Sequence, residues 1–254
     1  MNEKIANIIE DSSNKGNQFS NNEIRKILEI IIKYNNLEEF VKSMHISDKS
    51  KEKTVAYYNQ TDLELVIYVN HLYEYLQKKN NWEKIIDLNL LFVGSLFHEI
   101  EHVKQYRKTT TSDTDFETEL IRVNYNYFKA NIFVSIYRKF LYKKYHDAFP
   151  LERLADIDST SKMLEIAKLF NKEEDYQKLY NHFLTSFYLD PILYLSPTEA
   201  FLDRINSNLL RDQDFYDPYK FIMLEKVSNK YTLEERLRLG LPITSCEYSL
   251  IRNR

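Results

Sequence analysis

Glycine and proline are scarce, with three glycines and five prolines in 254 residues. A chain so poor in both has few places to turn tightly, so most of it is expected to run on as helix. The same scarcity removes glycine-rich phosphate loops, and with them nucleotide sites of the P-loop and Rossmann kinds. A single cysteine, Cys246, excludes an internal disulfide. Long hydrophobic runs are missing: LLFVG at 90–94 falls far short of a membrane span, and the opening MNEKIANIIEDSSNKGNQ lacks the apolar core of a secretory signal. A cytoplasmic protein with no membrane partner is expected. An excess of charge of one sign is also lacking, because 35 basic and 38 acidic side chains leave a net charge of -3. The lysines are dispersed among acids and tyrosines, so no nucleic-acid partner is expected.

What is present is ample apolar content, 43% of residues, enough for a substantial core. The fold class expected is α+β, predominantly helical. Residues 1–18 read as frayed. Ser20-Asn21-Asn22-Glu23 then has the S-x-x-E spacing of a capping box and opens a helix to about Tyr34, inside a helical N-terminal segment reaching about residue 46. The polar run SDKSKEK at 47–53 reads as a linker. TVAYY, the turn-prone Asn59-Gln60 and TDLELVIYV follow, with Leu63, Leu65 and Ile67 alternating with Asp62, Glu64 and Val66, which predicts a β-hairpin or small sheet edge. Helices are expected at about 71–79 and 82–107. TTTSDTD breaks the second, and a tyrosine-rich helix to about Lys144 comes next. Pro150 near a first helical position starts another helix, with Glu152 in its first turn. Further helices are expected at 172–187, 197–207 and 232–239, the last stopped by Gly240. The segments divide as 1–50, 51–160 and 161–254, expected to form one compact unit.

The motif that carries chemistry is Phe97-His98-Glu99-Ile100-Glu101-His102-Val103. Its HEIEH core is HExxH forwards and HxxEH backwards. His98 and His102, four residues apart, stand one above the other on a helix face and can share one ion. Catalytic zinc takes three protein ligands and leaves a fourth position for water, so one more ligand is needed. Glu99 and Glu101 each lie about 60° from the nearer histidine, so helix geometry permits either as general base. Glu152 and Asp156 fall at i and i+4 on one face of a later helix, where one can ligate while the other supports. Glu199 with Asp203 repeats that spacing behind Pro197, and Glu119 lies nearer in sequence, so three glutamates compete for the third place.

HExxH followed by E-x-x-x-D on a later helix resembles the gluzincin branch of the zincin metallopeptidases, over roughly residues 55–160. The resemblance implies a zincin-like core with a small sheet before the motif helix. It implies Zn2+ held by His98, His102 and Glu152, Glu99 as general base, and Asp156 accepting a hydrogen bond from His98 to fix its tautomer. Glu101 would be a partly exposed flanking acid. A mid-helix glycine, Gly94, one turn before His98, marks either a close helix approach or room for substrate. His146 in KKYHDAF and Tyr145 are the polar groups nearest in sequence that could meet an oxyanion. His45, His71, His182 and Cys246 read as structural.

The activity so implied is zinc-dependent hydrolysis of a peptide bond in a peptide or protein substrate, with the strand near 61–69 offered to an extended peptide as a further strand. The alternative is a non-catalytic helical regulatory or interaction protein on a zincin scaffold. Two histidines and a carboxylate also suit iron or manganese.

Overall fold

A computed structural model of the chain describes residues 1–48, 55–80, 84–113, 115, 117–118, 121–122, 150–189 and 230–239. Its elements in chain order are α1 (Asn2–Asn14), α2 (Asn21–Tyr34), β1 (Ser43–Ser47), β2 (Ala56–Asn59), β3 (Glu64–Tyr68), α3 (Val69–Asn80), α4 (Ile85–Thr109), α5 (Pro150–Ala167), a short 3-10 turn (Lys168–Phe170), α6 (Glu173–Leu189) and α7 (Leu233–Leu239). The fold is mostly helical, with one small mixed sheet. Two compact units divide it: Met1–Arg107 with Asp158–Gln177, and Lys108–Ile157 with Lys178–Arg254. Helices α5 and α6 each run continuously through the division.

In the first unit, the segment read as frayed is helix α1, whose Ile5, Ile8 and Ile9 are buried. Spacing of i, i+3 and i+4 gives α1 an apolar stripe that its polar neighbours hide from a composition reading. The helix closes with the amide of Asn17 on the carbonyl of Ser12 and that of Gly16 on Ser13, around Gly16 at φ 71°. Only a residue free to take a left-handed turn completes this crossed pair of bonds. At Asn36 (φ 52°) and Asn171 (φ 53°) asparagine makes the same turn: Leu37 donates to Ile32, and Lys172 donates to Ala167. Helix α2 begins as the spacing predicts, with the Ser20 amide donating to Glu23 Oε2 at 2.8 Å and the Glu23 amide to Ser20 Oγ at 3.3 Å.

The expected helix beyond Tyr34 ends early. Residues 43–47 form strand β1, which pairs parallel with β3, while β2 pairs antiparallel with the other side of β3. The hairpin is where the sequence puts it, but β3 lies at the centre in the order β1-β3-β2. Leu65, Val66 and Ile67 are all buried, so β3 is covered on both faces and its side chains do not alternate in and out. Leu63 lies in the turn at φ 52°. Because both edges of β3 are already hydrogen-bonded, a peptide cannot add to it as a further strand, which corrects the docking expected near 61–69.

Helix α4 is buried around most of its circumference, through Leu88, Leu90, Leu91, Phe92, Val93, Leu96, Phe97, Ile100 and Val103. A helix apolar all round is a core helix. Its buried Asn89 is fully served: the Oδ1 accepts from Tyr73 Oη at 2.7 Å, and the Nδ2 donates to Ser13 Oγ at 3.1 Å and to the Asn17 carbonyl at 3.0 Å. Tyr73 Oη in turn accepts the Phe19 amide at 2.9 Å. One buried network thus ties the end of α1 to α3 and α4. At Gly94 an added Cβ would stand 3.1 Å from Met163 Cγ, so this glycine lets α5 approach α4 closely.

In the second unit Ile157, Leu184 and Leu237 form a buried cluster from α5, α6 and α7, with Tyr180, Phe183 and Leu233 packed against it. Arg238 forks onto the Glu117 carboxylate at 2.9 and 3.1 Å, and Lys108 pairs with the same group. Burial alone would raise the Glu117 pKa; the hydrogen bonds and charges of Arg238 and Lys108 outweigh it and bring it from 4.5 to about 2. The folded value lies below the unfolded one, so this stabilisation is complete above pH 4.5 and is lost as pH falls towards 2. Chemical denaturation should find wild type losing on the order of 2 kcal/mol more than Glu117→Gln between pH 5 and pH 3. Parallel losses would mean the network contributes nothing.

Helices are found at the expected starts of α5, α6 and α7, and α7 ends at Leu239. The tyrosine-rich helix expected to about Lys144 falls almost wholly outside the described residues, as do the helix expected at 197–207, Tyr145, His146, Gly240 and Cys246. Among the described residues no helix is long and apolar enough to cross a membrane.

Candidate metal centre

His98 and His102 project from the fourth and fifth turns of α4, and Glu152 from the first turn of α5, where Pro150 opens the helix. All three residues are half-buried; the histidines belong to the first unit and Glu152 to the second. The pair of histidines on one face of α4 is where an ion could be held. Of the three competing glutamates, Glu152 is described, in the first turn of α5, whereas Glu119 and Glu199, with Asp203, lie outside the described residues.

The two imidazoles set the geometry. His98 Nε2 and His102 Nε2 stand 3.1 Å apart, with the ring planes at 85°. Two nitrogens each about 2.0–2.1 Å from a tetrahedral zinc would be about 3.3–3.4 Å apart, so the pair is close to ligating separation. The far side of the His102 ring meets Gln105, whose Oε1 is 3.0 Å from Nδ1. An amide oxygen only accepts, so this contact is a hydrogen bond in the tautomer that carries its proton on Nδ1, which turns the Nε2 lone pair of His102 towards His98. The 3.1 Å contact is then either a hydrogen bond donated by the Nε2–H of His98 or the span across one shared cation. A hard or borderline divalent ion fits a donor set of two imidazoles and a carboxylate.

Gln105 is a site residue that sequence reasoning missed. Its signal is faint, a glutamine one turn beyond the second histidine on the same helix face, and the residue is 5% exposed. Asp156 follows Glu152 by one turn on the same face of α5 and is half-buried. The two glutamates of the motif are both buried, Glu99 at 8% and Glu101 at 7% exposure. Glu101 is therefore not the partly exposed flanking acid expected. It forms an ion pair with Lys104 at 2.6 Å, which answers the cost of burying its charge.

Neighbouring side chains fix the ends of these elements. Arg107, one turn past the motif, donates to the Asn35 carbonyl at 3.0 Å at the end of α2. Arg153, next to Glu152, is 4% exposed and donates to the carbonyls of Leu184 at 3.3 Å and of Leu237 and Arg238. The substrate-room reading of Gly94 gives way to the packing one, since Met163 occupies the space. His45 and His71 flank Tyr68, and His182 lies beside Phe183.

No family model matches the chain, and neither a curated protein nor a solved structure matches it.

Proposed function

We propose that this chain is a zinc-dependent peptidase of gluzincin-like type, acting on a peptide or protein substrate in the cytoplasm. The observation that carries the reading is the imidazole pair of the HEIEH motif, with His98 Nε2 and His102 Nε2 3.1 Å apart on one face of α4. When bound, zinc supplies Lewis acidity, lowering the pKa of a coordinated water to about 7 and polarising a carbonyl.

The residues divide the remaining work. His98 and His102 would hold the ion, and Glu152 would add a third donor and a negative charge. Glu99, adjacent to His98 in a buried position, takes the proton of the attacking water and returns it to the leaving amine. Its burial supports this role, because a carboxylate held away from bulk water accepts and releases a proton in a site that excludes competing solvent. The pairing of Glu101 with Lys104 supports Glu99 over Glu101 as the base. Asp156 is assigned to steady His98 from α5.

Metal content decides the foundation. Mass spectrometry on untagged protein purified without chelator should find about one zinc per chain, and Glu152→Ala should lower occupancy by at least tenfold under the same dialysis. A protein that carries no metal, and takes up none at neutral pH, would remove the peptidase reading. Full zinc with a captured partner left intact would point instead to a regulatory protein that binds without cutting.

A further inference from the structure

We propose that Gln105 is the positioning residue that fixes the tautomer of His102 and thereby presents the pair of Nε2 atoms to the ion. The inference rests on the metal reading for its purpose but on separate observations for its content. Gln105 is 5% exposed and lies three residues beyond His102 on α4. Its Oε1 is 3.0 Å from His102 Nδ1. On the opposite side of the same ring, His102 Nε2 is 3.1 Å from His98 Nε2.

The chemistry follows from the two contacts together. An imidazole in its neutral form has one N–H and one lone pair, and the nitrogen facing the amide oxygen takes the N–H when the two are hydrogen-bonded. With Nδ1–H donated to Gln105, the lone pair must be on Nε2, the atom aimed at His98. Without that acceptor the ring could carry its proton on Nε2, where it would block ligation and leave two N–H groups or a reversed hydrogen bond between the histidines. An amide differs from a carboxylate in one respect that matters here: it orients the ring without a full charge. The ligand is left less basic, and the ion more electron-poor, than a carboxylate partner would make them.

The expected results are specific. In metal-free protein, ring 15N shifts should show His102 as the Nδ1–H tautomer in wild type and as a mixture, or the Nε2–H form, in Gln105→Leu. Titration of zinc against a chromophoric chelator should give 10 to 100-fold weaker binding for Gln105→Leu, with Gln105→Glu restoring wild-type affinity or exceeding it. A thermal melt of each metal-free variant confirms that it is folded. An Nε2–H tautomer in wild type, or unchanged zinc affinity in folded Gln105→Leu, overturns the proposal. If Gln105→Leu does not fold, the wild-type tautomer and the Gln105→Glu affinity still decide it. If wild type takes up no zinc, the metal reading fails, and the tautomer alone judges the role of Gln105.

Discussion

Glu99→Gln is expected to keep its zinc and lose cleavage by 10²- to 10⁴-fold, the usual contribution of a positioned general base. The substitution is nearly isosteric, so the buried site at 8% exposure is filled as before, and only the ability to take up a proton disappears. His98 and His102 are untouched, which is why metal content should hold near one per chain. Glu101→Gln is the informative partner, for its carboxylate is already engaged with Lys104 at 2.6 Å. Its loss should cost stability and leave cleavage within a few-fold. The assay begins with a partner captured on the inactive variant and then exposed to wild type with and without chelator. Cleavage that survives Glu99→Gln but is abolished by Glu101→Gln would hand the base to Glu101 and read the motif as HxxEH.

Arg153→Met should lower the melting temperature by roughly 10 °C, the largest stability effect expected of any described side chain in the second unit. The guanidinium is buried among the carbonyls of Leu184, Leu237 and Arg238, the last two in the final turn of α7. Terminal carbonyls have no partner within their helix and carry the negative end of its dipole, so a cation there satisfies them doubly. Methionine keeps much of the apolar stem and removes every donor. Several buried acceptors then lose a charged partner, at about 1–3 kcal/mol each, for a total of about 3–5 kcal/mol. Calorimetry of the metal-free protein reads this directly, and at about 2–4 °C per kcal/mol the shift is well resolved. A change under 2 °C would mean that solvent serves the carbonyls equally well. Since Glu152 is the preceding residue, the same variant should also bind zinc more weakly than its stability loss alone predicts.

Local signals in the sequence were legible and distant ones were not. Ser20 and Glu23 announce their helix because the capping box is completed within four residues. Pro150 does the same for α5, and the motif spacing brings His98 and His102 to one face. Glu152, fifty residues further on, is one of three glutamates that spacing leaves in competition, and the family resemblance alone chooses among them. Strand β1 was invisible because SMHIS has no pattern of its own and becomes a strand through pairing with β3. The central place of β3, the burial of Glu101 and the contact of Gln105 with His102 all depend on what packs around them. Sequence spacing defines which residues can meet, whereas burial and hydrogen-bond direction require the neighbouring elements.

The asparagine caps at Asn36 and Asn171 bear on how this chain can change over evolutionary time. Asparagine bears some backbone strain in the left-handed region that glycine escapes, whereas glycine has more freedom to lose when the chain folds. The two contributions are each of order 0.5–1 kcal/mol and opposite in sign, so an exchange between these residues is close to neutral. A sequence under pressure for asparagine-rich codons can therefore shed its glycines without shedding its helix ends. Three glycines suffice here because the turns they would have made are kept by another residue at nearly equal free energy.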